Sequence, residues 1–145
     1  MTLPRTPALA TDCVVFSPLG RVLLIRRAHE PCAGKHALPG GFVKMGETVM
    51  SACRREVREE TGIYVAAINL VGVYSNIDRD PRGHIVSVAF MTELANEARP
   101  RVGSDAMSAE WVDMRDVYLA FDHARIVADA KAKLRTNEMP QAGRN

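Results

Sequence analysis

At 145 residues, 47% hydrophobic and 25% charged, the chain has the length and composition of one soluble domain with room for a packed core. Its net charge of +2 is too small to call for nucleic acid or a membrane as partner. Three irregularly spaced cysteines, Cys13, Cys32 and Cys53, speak against a disulfide framework or a zinc site and for a reducing, cytoplasmic setting.

The start, MTLPRTPALATD, has no apolar run long enough for a signal peptide or a membrane span, and residues 1–10 read as a loose leader. Residues 11–17 (TDCVVFS) are β-rich, Ser17-Pro18-Leu19-Gly20 is a turn, and residues 21–27 (RVLLIRR) predict a second, buried strand of a hairpin. Arg27 stands where that strand leaves the core and is a candidate phosphate contact. The loop 28–36 carries His29 and His36, neither with a ligand partner at metal spacing. Leu38-Pro39-Gly40-Gly41 predicts a tight turn whose two glycines let the backbone approach a ligand closely.

Residues 41–63, GFVKMGETVMSACRREVREETGI, organise the rest. Thr48 is a good N-cap and Gly62 a C-terminal stop for the helix between them. At about 100° per residue, Glu56 and Glu60 lie within roughly 40° of each other, and Glu59 about 60° to the other side of Glu56. Val49, Ala52, Cys53 and Val57 share this flank, so a core-facing stripe turns acidic in its last two turns. Like charges at i,i+3 and i,i+4 repel, and burying a carboxylate without compensation is costly. Either the pKa values rise or a cation neutralises the group, and oxygen donors favour magnesium or manganese.

Residues 64–75 predict a strand with Gly72 as a bend or bulge. Residues 76–83 (NIDRDPRG) form a polar loop holding Arg79 and Arg82, and residues 84–94 a clear strand. Residues 95–109 are polar and irregular, and Asp105 there is a candidate substrate contact or base. Residues 110–112 (EWV) predict a short strand with Trp111 in the core, and residues 113–120 a helical turn. Asp122 caps a final helix over 123–134 with Ile126, Val127 and Ala130 on one face. Residues 136–145 read as a disordered tail, leaving 11–135 as the domain.

The central stretch resembles the Nudix box: Gly, five residues, Glu, seven residues, then Arg-Glu-aliphatic-x-Glu-Glu-x-Gly-aliphatic. Gly41, Glu47, Arg55, Glu56, Val57, Glu59, Glu60, Gly62 and Ile63 meet every fixed position. The resemblance implies an α/β fold, a Nudix-type α/β/α sandwich with a mixed β-sheet. It implies a Mg²⁺-dependent pyrophosphohydrolase, with Mn²⁺ able to substitute, acting on a small-molecule nucleotide in which a nucleoside diphosphate is linked to another moiety. Metal ligands by the same token are Gly40 through its carbonyl, Glu56, Glu59 and Glu60. Glu56 and Glu59 with Arg55 are the catalytic set, and Glu47, Gly41 and Gly62 support the box. The general base varies in this family; the candidates here are Glu56, Asp105 and Glu110. Homodimers are common among its members.

The segments RDPRGH (79–84) and AFDH (120–123) resemble the ADP-ribose pyrophosphatase branch, although the branch's proline often stands nearer the box than Pro81. That implies ADP-ribose cleaved to AMP and ribose 5-phosphate, with Arg27, Arg79 or Arg82 on phosphates and Phe16 or Tyr74 stacked on adenine. The alternatives are a sanitising (d)NTP pyrophosphohydrolase and a non-catalytic ADP-ribose-sensing module. The intact box and the short stretch after the last helix weigh against the sensor.

Overall fold

The computed structural model describes residues 1–103 and 106–142, with side chains through Thr136 among them. Its centre is β1 (Ala8–Phe16), whose apolar run Cys13–Phe16 is fully buried or nearly so. One edge of β1 pairs in parallel with β6 (Ile85–Glu93) from Ala8↔Ile85 to Phe16↔Glu93. The other edge is shared: β4 (Gly40–Phe42) takes Ala10, Thr11 and Asp12, and β2 (Val22–Arg27) takes only Phe16. β2 also pairs with β3 (His36–Ala37) and β7 (Ala106–Val112), while β5 (Asn69–Tyr74) lies outside β6. The mixed seven-stranded sheet runs β3-β2-β1-β6-β5, with β4 on β1 and β7 on β2. Because β2 and β4 divide one edge of β1, the sheet splays between them, and the cleft described below opens there.

Period-two alternation divides the core into two layers. Cys13, Val15, Leu23 and Phe90 face α1 (Val49–Thr61) and meet its Cys53 and Val57. Val14, Phe16, Leu24, Ala89 and Met91 face α2 (His123–Ala142) and meet Ile126, Val127 and Ala130. This is the expected α/β/α sandwich. None of the described helices is long and apolar enough to cross a membrane.

α1 begins and ends where its caps dictate. Thr48 Oγ1 accepts from Ser51 N at 3.1 Å, and Gly62 at φ 71° donates its N–H to Arg58 O. Arg101 N and Gly103 N then donate to Thr61 O at 2.7 Å and Glu60 O at 3.1 Å, satisfying carbonyls of the last turn.

Several bounds differ from the sequence expectation. The strand placed at 11–17 starts at Ala8 instead, inside the supposed leader, because β6 offers a parallel partner that no local pattern reveals. Of residues 64–75 only Asn69–Tyr74 is strand; Ile63, Val65 and Ile68 are buried beneath α1 without a ladder, so their alternation reports burial rather than pairing. The bulge expected at Gly72 is present as a register shift between Leu70 and Gly72. β7 extends over Ala106–Val112 where only 110–112 was expected, because a half-exposed strand shows weak alternation. The turn in 113–120 is a single 3₁₀ turn, Met114–Asp116. α2 runs to Ala142, past the expected end at Leu134 and into the supposed tail. Asp122 accepts the first helical N–H groups through its backbone carbonyl, while its carboxylate serves Arg79 instead of the cap.

Candidate active site

The splay between β2 and β4 holds a cleft with two joined lobes. The larger, about 450 Å³, is lined by Glu56, Glu59 and Glu60 of α1, by Gly40, and by Arg27 and Arg82 opposite. The smaller, about 170 Å³, shares Arg27, Gly40, Glu60 and Arg82 and continues inward to Asp12, Phe121 and His123. The acidic helix end and the three candidate arginines thus line one cleft, Arg27 and Arg82 in both lobes and Arg79 in the smaller alone.

Gly40 and Gly41 are glycines because the box helix and β1 stand too close for a side chain. A Cβ on Gly41 would lie 2.6 Å from Glu56 Cδ, and one on Gly40 would lie 2.2 Å from Thr11 O and 2.6 Å from Asp12 Oδ1. In return Gly40 N donates to Glu60 Oε1 at 3.0 Å, fixing that carboxyl under the turn. Burial, and then the neighbouring Glu56, push the Glu60 carboxyl up to about 9. A cation bound beside Glu60 would offset the cost of its charge there.

Arg55 is the brace. Its Nε donates to Glu47 Oε2 at 2.6 Å and its Nη2 to Glu47 Oε1 at 2.9 Å, a two-pronged pair that Phe42 O joins at 3.1 Å. The guanidinium hydrogen-bonded to Glu47, aided by Lys44 N, holds that carboxyl down at about 2. Arg55 Nη1 also reaches Glu56 Oε1 at 2.7 Å and Glu59 Oε2 at 3.2 Å. Named above with the catalytic set, Arg55 is held most closely by Glu47 and Glu56, so it acts here by positioning those carboxylates. Glu60 has no arginine or lysine at ion-pair distance among the described residues.

The chemistry of the donor set fits a hard divalent ion. Glu60 is a half-buried carboxyl with no counter-charge among the described residues, Glu56 lies beside it, and Glu59, 55% exposed, is free to turn inward. Among the described residues no three acidic, histidine or cysteine side chains already stand gathered at coordinating distance. Arg55 draws Glu56 and Glu59 toward Glu47, so ion binding would pull them from it.

Other expectations change. Arg79, its side chain buried, donates from Nε and Nη2 to Asp122 at 2.9 and 2.6 Å, an ion pair that commits its fork to the residue just before α2. Arg82 is held by Asp80 at 2.8 Å and lies 5.4 Å from the Phe42 ring centroid and 5.8 Å from that of Phe121. Arg27 donates to Pro31 O at 2.6 Å and covers Phe121 at 5.0 Å, with no carboxylate partner among the described residues. Phe16 is 3% exposed in the α2 layer and cannot stack on a base. Tyr74 lies in a separate groove beside α2, its hydroxyl donating to Asp129 at 2.7 Å. Glu110 is opposite Leu24, so it projects from the α2 face of the sheet, where it meets His36 at 2.8 Å; it is no base for this cleft. Asp105 lies outside the described residues.

The sequence reading missed the inner lobe. Asp12 and His123 are buried there, with Ser87 Oγ donating to Asp12 Oδ2 at 2.5 Å and Leu38 N donating to His123 Nδ1 at 3.0 Å. Accepting at Nδ1 assigns the proton of the neutral ring to Nε2, 3.3 Å from Asp12 Oδ1. Burial lowers the His123 pKa and raises that of Asp12. The one available signal was an acid at the head of an otherwise apolar strand, TDCVVF.

Carboxylates on one wall and guanidinium groups on the other are what a hydrolase of phosphoanhydrides presents to its substrate. The chain belongs to the NUDIX domain family, whose model matches residues 6–131, and its class is that of the Nudix pyrophosphohydrolases, which use divalent metal ions. It is 44% identical over 124 residues to an ADP-ribose pyrophosphatase of Methanocaldococcus jannaschii, covering 85% of this chain and 72% of that one. It is 32% identical over 137 residues to the ADPR responsive transcriptional repressor NtrR of Acinetobacter baylyi, covering 89% of this chain and only 55% of the repressor. Among solved structures, a MutT/nudix family protein from Enterococcus faecalis superposes with a TM-score of 0.84 at 29% identity, over 94% of this chain and 66% of that one. The NUDIX domain of Shewanella oneidensis NrtR complexed with ADP ribose gives a TM-score of 0.84 at 26% identity over 90% of each chain.

Proposed function

We propose that the protein hydrolyses ADP-ribose to AMP and ribose 5-phosphate with Mg²⁺, Mn²⁺ substituting. The observation that carries this reading is the opposition, across one cleft, of the Glu56–Glu60 pair and the guanidinium groups of Arg27 and Arg82. The archaeal relative's activity supports the choice of substrate.

Glu56, Glu59 and Glu60, with the Gly40 carbonyl beside them, are the groups to hold the ion. When bound, it offsets charge on the phosphoryl oxygens and lowers the pKa of attacking water. Arg27 and Arg82 bind the diphosphate from the other wall, and the rings of Phe42 and Phe121 keep Arg82 in place. Water attacks one phosphorus and the bridging P–O bond breaks, the electron pair leaving on the other phosphate. Glu59 is the most open of the three carboxylates and stands ready to take the water's proton. Arg55 and Glu47 hold Glu56 at the start of this row. With Glu110 on the far face of the sheet, the box carboxylates and Asp105 are the candidates for the base.

A panel of ADP-ribose, other nucleoside diphosphate derivatives and (d)NTPs, with product identification, tests the reading. AMP and ribose 5-phosphate are the expected products. Pyrophosphate release from triphosphates without turnover of ADP-ribose would favour the sanitising alternative instead. Glu56→Gln or Glu60→Gln lowers kcat at least ~100-fold, as loss of a charged catalytic group commonly does.

A further inference from the structure

Four side chains from four separate segments touch in succession along one wall of the cleft. Arg27, at the end of β2, stands over the Phe121 ring at 5.0 Å. Arg82, from the loop between β5 and β6, stands over the same ring at 5.8 Å and over Phe42 of β4 at 5.4 Å. The chain of contacts thus links β2 to β4, two strands that share no ladder. Phe121 is the member that both cations share. Their other holds are loop atoms: Arg27 donates to Pro31 O, and Arg82 to Asp80, two residues before it. Phe121 itself is fixed from several sides. Ala120 N donates to His36 O at 2.8 Å, the His123 ring lies 5.4 Å away, and Asp122 takes both prongs of Arg79. Its φ of 54° lies in the left-handed region, which a residue other than glycine enters at a cost and keeps only where its surroundings hold it there.

We infer that Phe121 is a positioning residue: its ring holds Arg27 and Arg82 as a pair before substrate arrives, so that both guanidinium groups meet the diphosphate together. This rests on the proposed diphosphate hydrolysis and deepens it. Both arginines line both lobes of the cleft, and like charges facing one cavity repel. Each long side chain also loses rotamer freedom on being held. The negative face of an aromatic ring offsets both costs, since it attracts each cation. A guanidinium stacked on a ring keeps its in-plane N–H groups for phosphate oxygens. Ordering the pair in the free enzyme removes that cost from substrate binding.

Phe121→Leu keeps apolar bulk and removes the ring. It should raise KM for ADP-ribose roughly tenfold, as loss of two cation–π contacts does, while kcat moves less than about twofold. In an Arg27→Ala/Arg82→Ala background the same change should move KM less than about twofold, because the ring's partners are gone. An undiminished effect there overturns the inference, since the ring then serves the substrate or the fold and not the arginines. So does a Phe121→Leu enzyme with unchanged KM. Should Phe121→Leu fail to fold, a series with mono-, di- and trifluorinated phenylalanine at this position decides. Fluorine drains charge from the ring face at almost constant size, so KM should climb along the series, and a flat series overturns the inference. Methylene diphosphonate, which has neither base nor sugar, separates this role from the choice of substrate. Its dissociation constant in Mg²⁺, read by calorimetry, should rise with Phe121→Leu in step with KM. An enzyme inert toward ADP-ribose whose diphosphonate binding depends on Phe121 keeps the positioning role and loses the proposed reaction. Diphosphonate binding indifferent to Phe121 overturns the role.

Discussion

Glu60→Gln should stabilise the metal-free protein at neutral pH while abolishing its response to metal. Glu60 titrates at about 9 in the fold against 4.5 for the ordinary side chain, because burial and Glu56 both penalise its charge. A carboxyl whose folded pKa is raised contributes its full stability below the unfolded value and loses it as pH rises toward the folded one. The slope is about 1.4 kcal/mol per pH unit, so by pH 7 the loss is about 3 kcal/mol. Glutamine has no such dependence. It keeps an oxygen for Gly40 N and offers an amide N–H toward Glu56, replacing the protonated acid nearly atom for atom. Urea unfolding in EDTA from about pH 5 to about pH 8 reads the difference. The variant should match wild type near pH 4.5 and gain steadily above it, while added Mn²⁺ stabilises only wild type. A variant less stable than wild type at pH 7, or a difference that ignores pH, refutes the reasoning.

The brace titrates in the opposite sense: Glu47, held at about 2 by Arg55, contributes stability above about pH 4.5 that is lost as pH falls toward 2, so Glu47→Gln should flatten acid unfolding over that window. The same variant should cut kcat roughly 10–100-fold in steady-state kinetics, since Glu47 holds the arginine that positions Glu56. Gly41→Ala should reduce kcat at least ~100-fold with the fold intact by circular dichroism, because the new Cβ falls 2.6 Å from Glu56 Cδ and drives that carboxylate out of place. Arg27→Ala should raise KM roughly tenfold with a smaller change in kcat, as loss of a phosphate contact made equally in ground and transition states does.

What was legible in the sequence was what local chemistry encodes. Thr48 and Gly62 bounded the box helix, its angular arithmetic gathered Glu56, Glu59 and Glu60, and the paired glycines foretold the close approach of the turn. What was not legible depends on partners distant in sequence. Arg79 and Arg82 look alike within one loop, yet Arg79 is taken up by Asp122 at the head of α2 and of the two only Arg82 faces the larger lobe. Glu110 looked like a candidate base until its register against Leu24 turned it to the other face. Phe42 and Phe121 meet over Arg82 from elements that share no local pattern.

The parallel seam between β1 and β6 bears on how the chain reaches its native state. Asp12 and Ser87, bonded across that seam, are 75 residues apart, so the middle of the sheet closes only after most of the domain has left the ribosome. Until then the run Cys13–Phe16 has a single ladder partner, Val22 of β2 opposite Phe16, and its other edge is bare. Non-local pairing of this kind makes for slow folding and a period of vulnerability to association with other chains. Deletions that shorten β6 should therefore show first as poor recovery of soluble protein during expression, before any loss in the stability of molecules that do fold.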